Sequence, residues 1–227
     1  MEAPKVRFNE FEQLAIFANL TSSKNLLEVS AEIGMLEQVY PNSKIDRADW
    51  LKIAIPEADG VVVTDFELNG IKSNYYDAVL GVAPFHHANL EQKSSYIAGA
   101  MRVLQTGGVL AFGEVAQDSK EDYFLDDFIH SCSPSGHQGM YVDQSFIEVL
   151  SQHGFMDVRS EFRACPWVFD SISQMLGFIK NLFNINGIDK SYLLKQLDSY
   201  LGIKENNGKI FLNWNLRYFM GVKHHSS

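Results

Sequence analysis

Apolar residues recur along this chain at helical and at strand spacing in alternation. Phe11, Leu14, Ala15, Phe17 and Ala18 sit at helical spacing within 9–20, and Thr21-Ser22-Ser23 breaks the pattern. A short apolar run at 25–29 predicts a strand, and 32–40 predicts a helix stopped by Pro41-Asn42. A brief strand at 44–46 follows, then a helix at 48–55 closed by Pro56, and then the apolar run Val61-Val62-Val63, which suits a strand buried on both faces. A second such run at 77–82 leads to a helix at 90–104, which stops at Gly107-Gly108 before a strand at 109–115. Helices are expected at 121–131 and 145–153, a strand at 156–164, helices at 171–183 and 191–200, and an aromatic-rich last strand at 210–222. Neighbouring parallel strands need crossover connections, so this alternation predicts the α/β class: a doubly wound, mostly parallel sheet with helices on both faces.

Composition narrows the picture. A length of 227 residues fits one α/β domain spanning 1–227, with a helical insert at about 168–207 before the last strand. A net charge of −9 without any Lys/Arg run argues against a nucleic-acid partner, because backbone affinity comes mainly from cations. No apolar stretch approaches a membrane span and no basic-then-apolar segment opens the chain, so a cytosolic protein without a membrane partner is expected. Cys132 and Cys165 stand far apart and read as buried thiols, not as a disulfide or zinc knuckle. His224 and His225 read as a frayed tail, and no spacing predicts a metal site.

Doubly wound sheets bind ligands beyond the carboxyl ends of their strands, often at the first strand-to-helix turn. That turn is Leu26-Leu27-Glu28-Val29-Ser30-Ala31-Glu32-Ile33-Gly34. It resembles the first motif of the class I S-adenosylmethionine-dependent methyltransferases, an acid followed by three glycines at alternate positions. Glu28 matches the acid and Gly34 the last glycine, while Ser30 and Glu32 replace the other two. Tyr76-Asp77-Ala78-Val79-Leu80-Gly81-Val82, then Phe85-His86-His87, then Gly107-Gly108-Val109-Leu110-Ala111 resembles that family's fourth-to-fifth-strand block. The likeness covers roughly residues 24–165 and implies a seven-stranded sheet and S-adenosyl-L-methionine as cofactor. It assigns Glu28, Ser30, Gly34 and Val82 to the cofactor site, and Asp65 with Phe66 to the adenine. Asp46 follows Glu28 by 18 residues, near the spacing at which an acid binds ribose hydroxyls; Asp49 competes for that role.

The C-terminal third narrows the likeness. Phe169-Asp170-Ser171, Met175-Leu176-Gly177-Phe178-Ile179-Lys180 and Tyr218-Phe219-Met220-Gly221-Val222 are similar to the malonyl-acyl-carrier-protein O-methyltransferases of biotin synthesis. That implies a small-molecule or acyl-carrier-bound carboxylate as acceptor. A guanidinium fork suits a carboxylate, and of Arg102, Arg159 and Arg163 the last is the candidate to hold it. His86 and His87 have the imidazole chemistry for proton transfer, and His87 is the catalytic candidate beside Arg163; a structural turn is the competing reading. Trp167, Phe169, Phe178 and Phe183 suit an acyl channel, with core packing the simpler expectation. The replaced glycines leave open a second function class, a catalytically degenerate member of the fold that acts as a binding or regulatory partner.

Overall fold

The computed structural model describes residues 6–20, 25–29, 35–49 and 61–224, and it joins strands from both ends of the chain into one sheet. In chain order the strands are β1 (Asn25–Glu28), β2 (Lys44–Asp49), β3 (Val61–Val63), β4 (Tyr76–Val82), β5 (Leu104–Glu114) and β6 (Phe155–Ala164). There follow β7 (Trp167–Phe169), β8 (Ile203–Asn206), β9 (Lys209–Leu212) and β10 (Asn215–Lys223). The main sheet runs β3-β2-β1-β4-β5-β10-β6, and β7-β9-β8 form a separate antiparallel sheet. Pairings among β1 to β5 are parallel, whereas β10 lies antiparallel between β5 and β6. The result is a mostly parallel α/β architecture. Strand order reverses between β1 and β4, which makes their carboxyl ends the topological switch point where such sheets hold ligands.

The helices are α1 (Phe8–Ala18), α2 (Leu36–Val39), α3 (Leu90–Val103), α4 (Lys120–Tyr123), α5 (His130–Cys132), α6 (Phe146–Gln152), α7 (Ile172–Leu182) and α8 (Lys190–Tyr200). A π-helical turn, Phe124–Ile129, fuses α4 to α5. Asn89 opens α3 with a capping box: its side chain accepts from the Gln92 N–H while the Gln92 side chain accepts from the Asn89 N–H. The sheet buries both faces. One apolar cluster gathers α1, α7 and α8 with Leu26, Leu80 and Tyr218; the other gathers α3 and α6 with Val79, Phe112 and Phe219. Among the described residues no helix is long and apolar enough to cross a membrane.

Several elements differ from the sequence expectation. Strand β2 continues through Asp49, with Ala48 paired to Val62, so no helix begins at 48; residues 50–55 lie outside the described ones. The strand expected over 210–222 is two, β9 and β10, broken at Asn213-Trp214, where the Asn213 N–H donates to the Gly202 carbonyl at 3.0 Å. Asn207 and Gly208 both have positive φ, 50° and 71°, and turn β8 tightly into β9. The insert before the last strand therefore contains strands as well as helices.

Candidate functional site

At the switch point Glu28 ends β1 fully buried. Its Oε1 accepts from the Met35 N–H at 3.4 Å, and its Oε2 lies 3.5 Å from Arg47 Nε on β2. Arg47 also pairs with Glu37 on α2, so one guanidinium ties β2, the end of β1 and α2 together. Ser30 and Gly34, like Glu32, lie outside the described residues. Beside Val29 β4 comes unusually close: a Cβ on Gly81 would stand 1.9 Å from the Val29 carbonyl oxygen, so only glycine admits this approach. The Val29 N–H donates to Leu80 O at 2.9 Å across the same gap. Val82 ends β4 fully buried, in register with Gly113 of β5.

Asp46 stands mid-strand in register with Leu27, and its carboxylate accepts from Tyr76 OH at 3.0 Å and pairs with Lys44 at 3.2 Å. It does not reach the carboxyl edge, which Asp49 occupies as the last residue of β2. Asp65 follows β3 and organises the turn after it, accepting from the Asn69 backbone N–H at 3.0 Å and its Nδ2 at 2.8 Å. Those bonds hold its carboxyl below the usual carboxylate range. Phe66 is half-buried against the α3-side core.

Beyond β4 and β5 a second group of polar side chains converges. Ala83 takes a positive φ of 49° and donates its N–H to Gly113 O, which turns the chain so that Phe85 N–H meets Glu114 Oε1 at 2.7 Å. Glu114 is fully buried, and loss of hydration raises its carboxyl to about 8. His86 Nδ1 lies 4.0 Å from Glu114 Oε2, and burial lowers its imidazole to about 3, so the ring is neutral at physiological pH. Lys93 of α3 turns its ammonium under this turn and donates to the carbonyls of Ala88, at 2.5 Å, and Met140. His87 is exposed, and its Nδ1 meets the Gln138 carbonyl at 3.3 Å.

Opposite stands His137, whose Nδ1 lies 3.1 Å from Asp126 Oδ1. Asp126 also accepts from Tyr141 OH at 2.8 Å and the Gly139 N–H at 3.0 Å, and it is presented by the π-helical turn. The Met140 N–H donates to His86 O at 2.6 Å, which binds the 137–141 loop to the turn after β4. Glu114, Lys93, Asp126, His137 and Tyr141 escaped the sequence reading. Only the apolar strand before Glu114 hinted at a buried acid; nothing local joined His137 to residues fifty positions earlier.

The arginines are otherwise engaged. Arg163 Nη1 donates to Gln13 at 3.0 Å, its Nε lies 3.1 Å from Glu161, and its guanidinium stands over Phe17, 5.6 Å from the ring centre. Arg159 donates to Phe17 O at 2.6 Å. Both fasten α1 to β6, so Arg163 is placed as a packing residue and not as an open fork. Arg102 donates to the carbonyls of Ile71 at 2.9 Å and Leu68 at 2.7 Å and clamps the loop before β4. Trp167 is core, stacked on Trp214 at 4.4 Å with Phe178 edge-on at 5.5 Å.

No family model and no curated protein sequence matches the chain. Solved structures do. YcgJ from Bacillus subtilis superimposes with a TM-score of 0.61 at 13% identity, covering 96% of this chain and 99% of that one. An S-adenosylmethionine-dependent methyltransferase from Archaeoglobus fulgidus gives 0.59 at 15% identity, covering 94% of this chain and 92% of that one. The fold is that of the S-adenosylmethionine-dependent methyltransferases. Haemonchus contortus phosphoethanolamine N-methyltransferase 2, in complex with phosphomonomethylethanolamine and S-adenosylhomocysteine, shares the methyltransferase fold with a TM-score of 0.56 at 16% identity, over 96% of this chain and 53% of that one. At these identities the likeness is one of architecture.

Proposed function

We propose that the protein is an S-adenosyl-L-methionine-dependent methyltransferase. The observation that carries this reading is the geometry at the switch point, where buried Glu28 at the end of β1 accepts from the Met35 N–H and Gly81 lets β4 approach Val29. The carboxyl end of β1 is the place where this fold holds a ligand. Cofactor contacts are assigned to Glu28, Ser30, Gly34, Asp65, Phe66 and Val82. The ribose role passes from Asp46, whose carboxylate Tyr76 and Lys44 occupy, to Asp49 at the strand's end.

The acceptor is a carboxylate, free or carried on an acyl-carrier protein as in malonyl-carrier methylation; the C-terminal motifs Phe169-Asp170-Ser171 and Tyr218-Phe219-Met220 support that class. Methyl transfer to an ionised carboxylate needs alignment and no general base, so His87 is not required for the chemistry. Because Arg163 is held by Gln13 and Glu161, the guanidinium better suited to the acceptor is Arg217, which lines a 690 Å³ cleft with Lys120, Lys204 and Trp214. Arg217 sits in register with Glu114, at the carboxyl end of β5.

A second reading draws on Ser30 and Glu32, which stand where the family carries glycines: the site is retired and the chain acts as a binding partner. A carboxylate at Glu32 would oppose the cofactor's own carboxylate. Calorimetric titration with S-adenosylhomocysteine separates the two. Micromolar binding by the native chain supports the enzyme. Binding only by Glu32→Gly supports the retired site, and binding by neither removes the methyltransferase reading.

A further inference from the structure

His86 and His87 follow β4, His137 comes from the loop after α5, and one ring nitrogen from each lies within 4.8 Å of the other two. The His86 and His87 rings are 4.1 Å apart between centres, and His87 and His137 are 4.9 Å apart. Two of the rings turn Nδ1 toward an acceptor: Asp126 Oδ1 at 3.1 Å for His137 and the Gln138 carbonyl at 3.3 Å for His87. An acceptor beside Nδ1 favours the tautomer with the proton there and leaves Nε2 with its lone pair. We infer that His86, His87 and His137 form a three-imidazole site for a divalent d-block cation of the zinc, cobalt or nickel kind.

The donor set decides the class of ion. Neutral imidazoles suit zinc, cobalt and nickel, whereas magnesium and calcium take oxygen ligands. At a metal–nitrogen length of about 2.0–2.1 Å, a tetrahedral site sets its nitrogens about 3.3 Å apart. Small torsions close the remaining gap, and exposed His87 has the room to make them. The surroundings resemble an outer shell: Asp126 orients His137 and is itself fixed by Tyr141 OH and the Gly139 N–H. The Met140-to-His86 backbone bond holds the two contributing segments together. A 440 Å³ cleft lined by His87, His130, His137 and Phe183 opens against the group, so a fourth position is accessible to water or to an anionic oxygen. The site uses only this chain's side chains and does not depend on cofactor binding.

The test uses the full chain, stripped with a chelator, titrated with zinc by calorimetry and with cobalt by visible absorption. The expected result is one zinc per chain at this site and the intense d–d bands of a tetrahedral cobalt centre. His87→Ala and His137→Ala should each weaken binding at least about tenfold, and Asp126→Asn about tenfold. His224 and His225 are retained in every variant, so binding at that pair is common to all of them. Zinc should also raise the melting temperature of the native chain and leave His87→Ala unmoved, a comparison that holds because His87 is exposed. Absence of zinc binding, or equal binding by His87→Ala and His137→Ala, overturns the assignment.

Discussion

Glu114 carries its carboxyl group out of water, accepting from the Phe85 N–H, and that burial has a pH signature. The group's ordinary value of 4.5 rises to about 8 on folding, so between those values the unfolded chain ionises while the folded chain keeps the proton. Glu114 therefore costs no stability below 4.5, costs progressively more as pH rises through this window, and levels off above about 8. His86 works oppositely: its lowered value removes stability as pH falls from 6.5 toward 3. Comparing native protein with Glu114→Gln cancels the His86 contribution. The variant's melting temperature, measured with chelator present, should gain on the native value steadily from pH 5 to pH 8; a constant difference would contradict the buried-acid account. At Gly81 the prediction is steric. Gly81→Ala should lower stability by about 2 kcal/mol or more, read by urea denaturation, because the obstacle is the Val29 main chain and not a movable side chain. Glu28 was legible as the acid of the first turn because an acid after an apolar run is a local pattern. The engagement of Asp46 by Tyr76 and of Arg163 by Gln13 was not, since both depend on partners distant in sequence.

Most elements of the α/β core could be read from apolar spacing, because strands buried on both faces and amphipathic helices leave strong periodic marks. The small sheet was harder. Strand β7 has three residues, too few for periodicity, and β8 exposes its last three positions, yet the Asn207-Gly208 pair between two short extended runs was an available hairpin sign. Helix α1 illustrates how one element is held by others far away. Glu10 is fully buried on it, receiving the Trp167 indole N–H at 2.8 Å and pairing with Arg7 at 2.8 Å, while Tyr218 OH donates to the Glu10 carbonyl at 2.9 Å. Glu10→Ala removes the carboxylate that Arg7 and Trp167 share and should cost roughly 3–5 kcal/mol, whereas Glu10→Gln keeps an acceptor for the indole and should cost less. Chemical denaturation of the two variants checks the ordering; equal losses would mean that the charge paired with Arg7, and not the acceptor for the indole, docks α1.

For the molecule as a whole, cofactor binding and stability are linked. S-adenosylhomocysteine at about 100 times its dissociation constant should stabilise the native state by about 2.7 kcal/mol, which raises the melting temperature roughly 5–10 °C for a chain of this size. No shift at millimolar ligand would argue for the retired site. The architecture was foreseeable from strand and helix alternation, but the two-sheet division was not, because the insert's strands pair only with one another. The position of β10 has its own consequence, which concerns the order of synthesis. Ala164 completes β6 51 positions before Asn215 begins β10, the strand that must slide between it and β5. At 5–20 residues per second the ribosome leaves that slot open for roughly 3–10 s. During this interval the facing edges of β5 and β6 are unpaired templates for foreign strands, and a nascent-chain chaperone that shields them would govern the yield of folded protein.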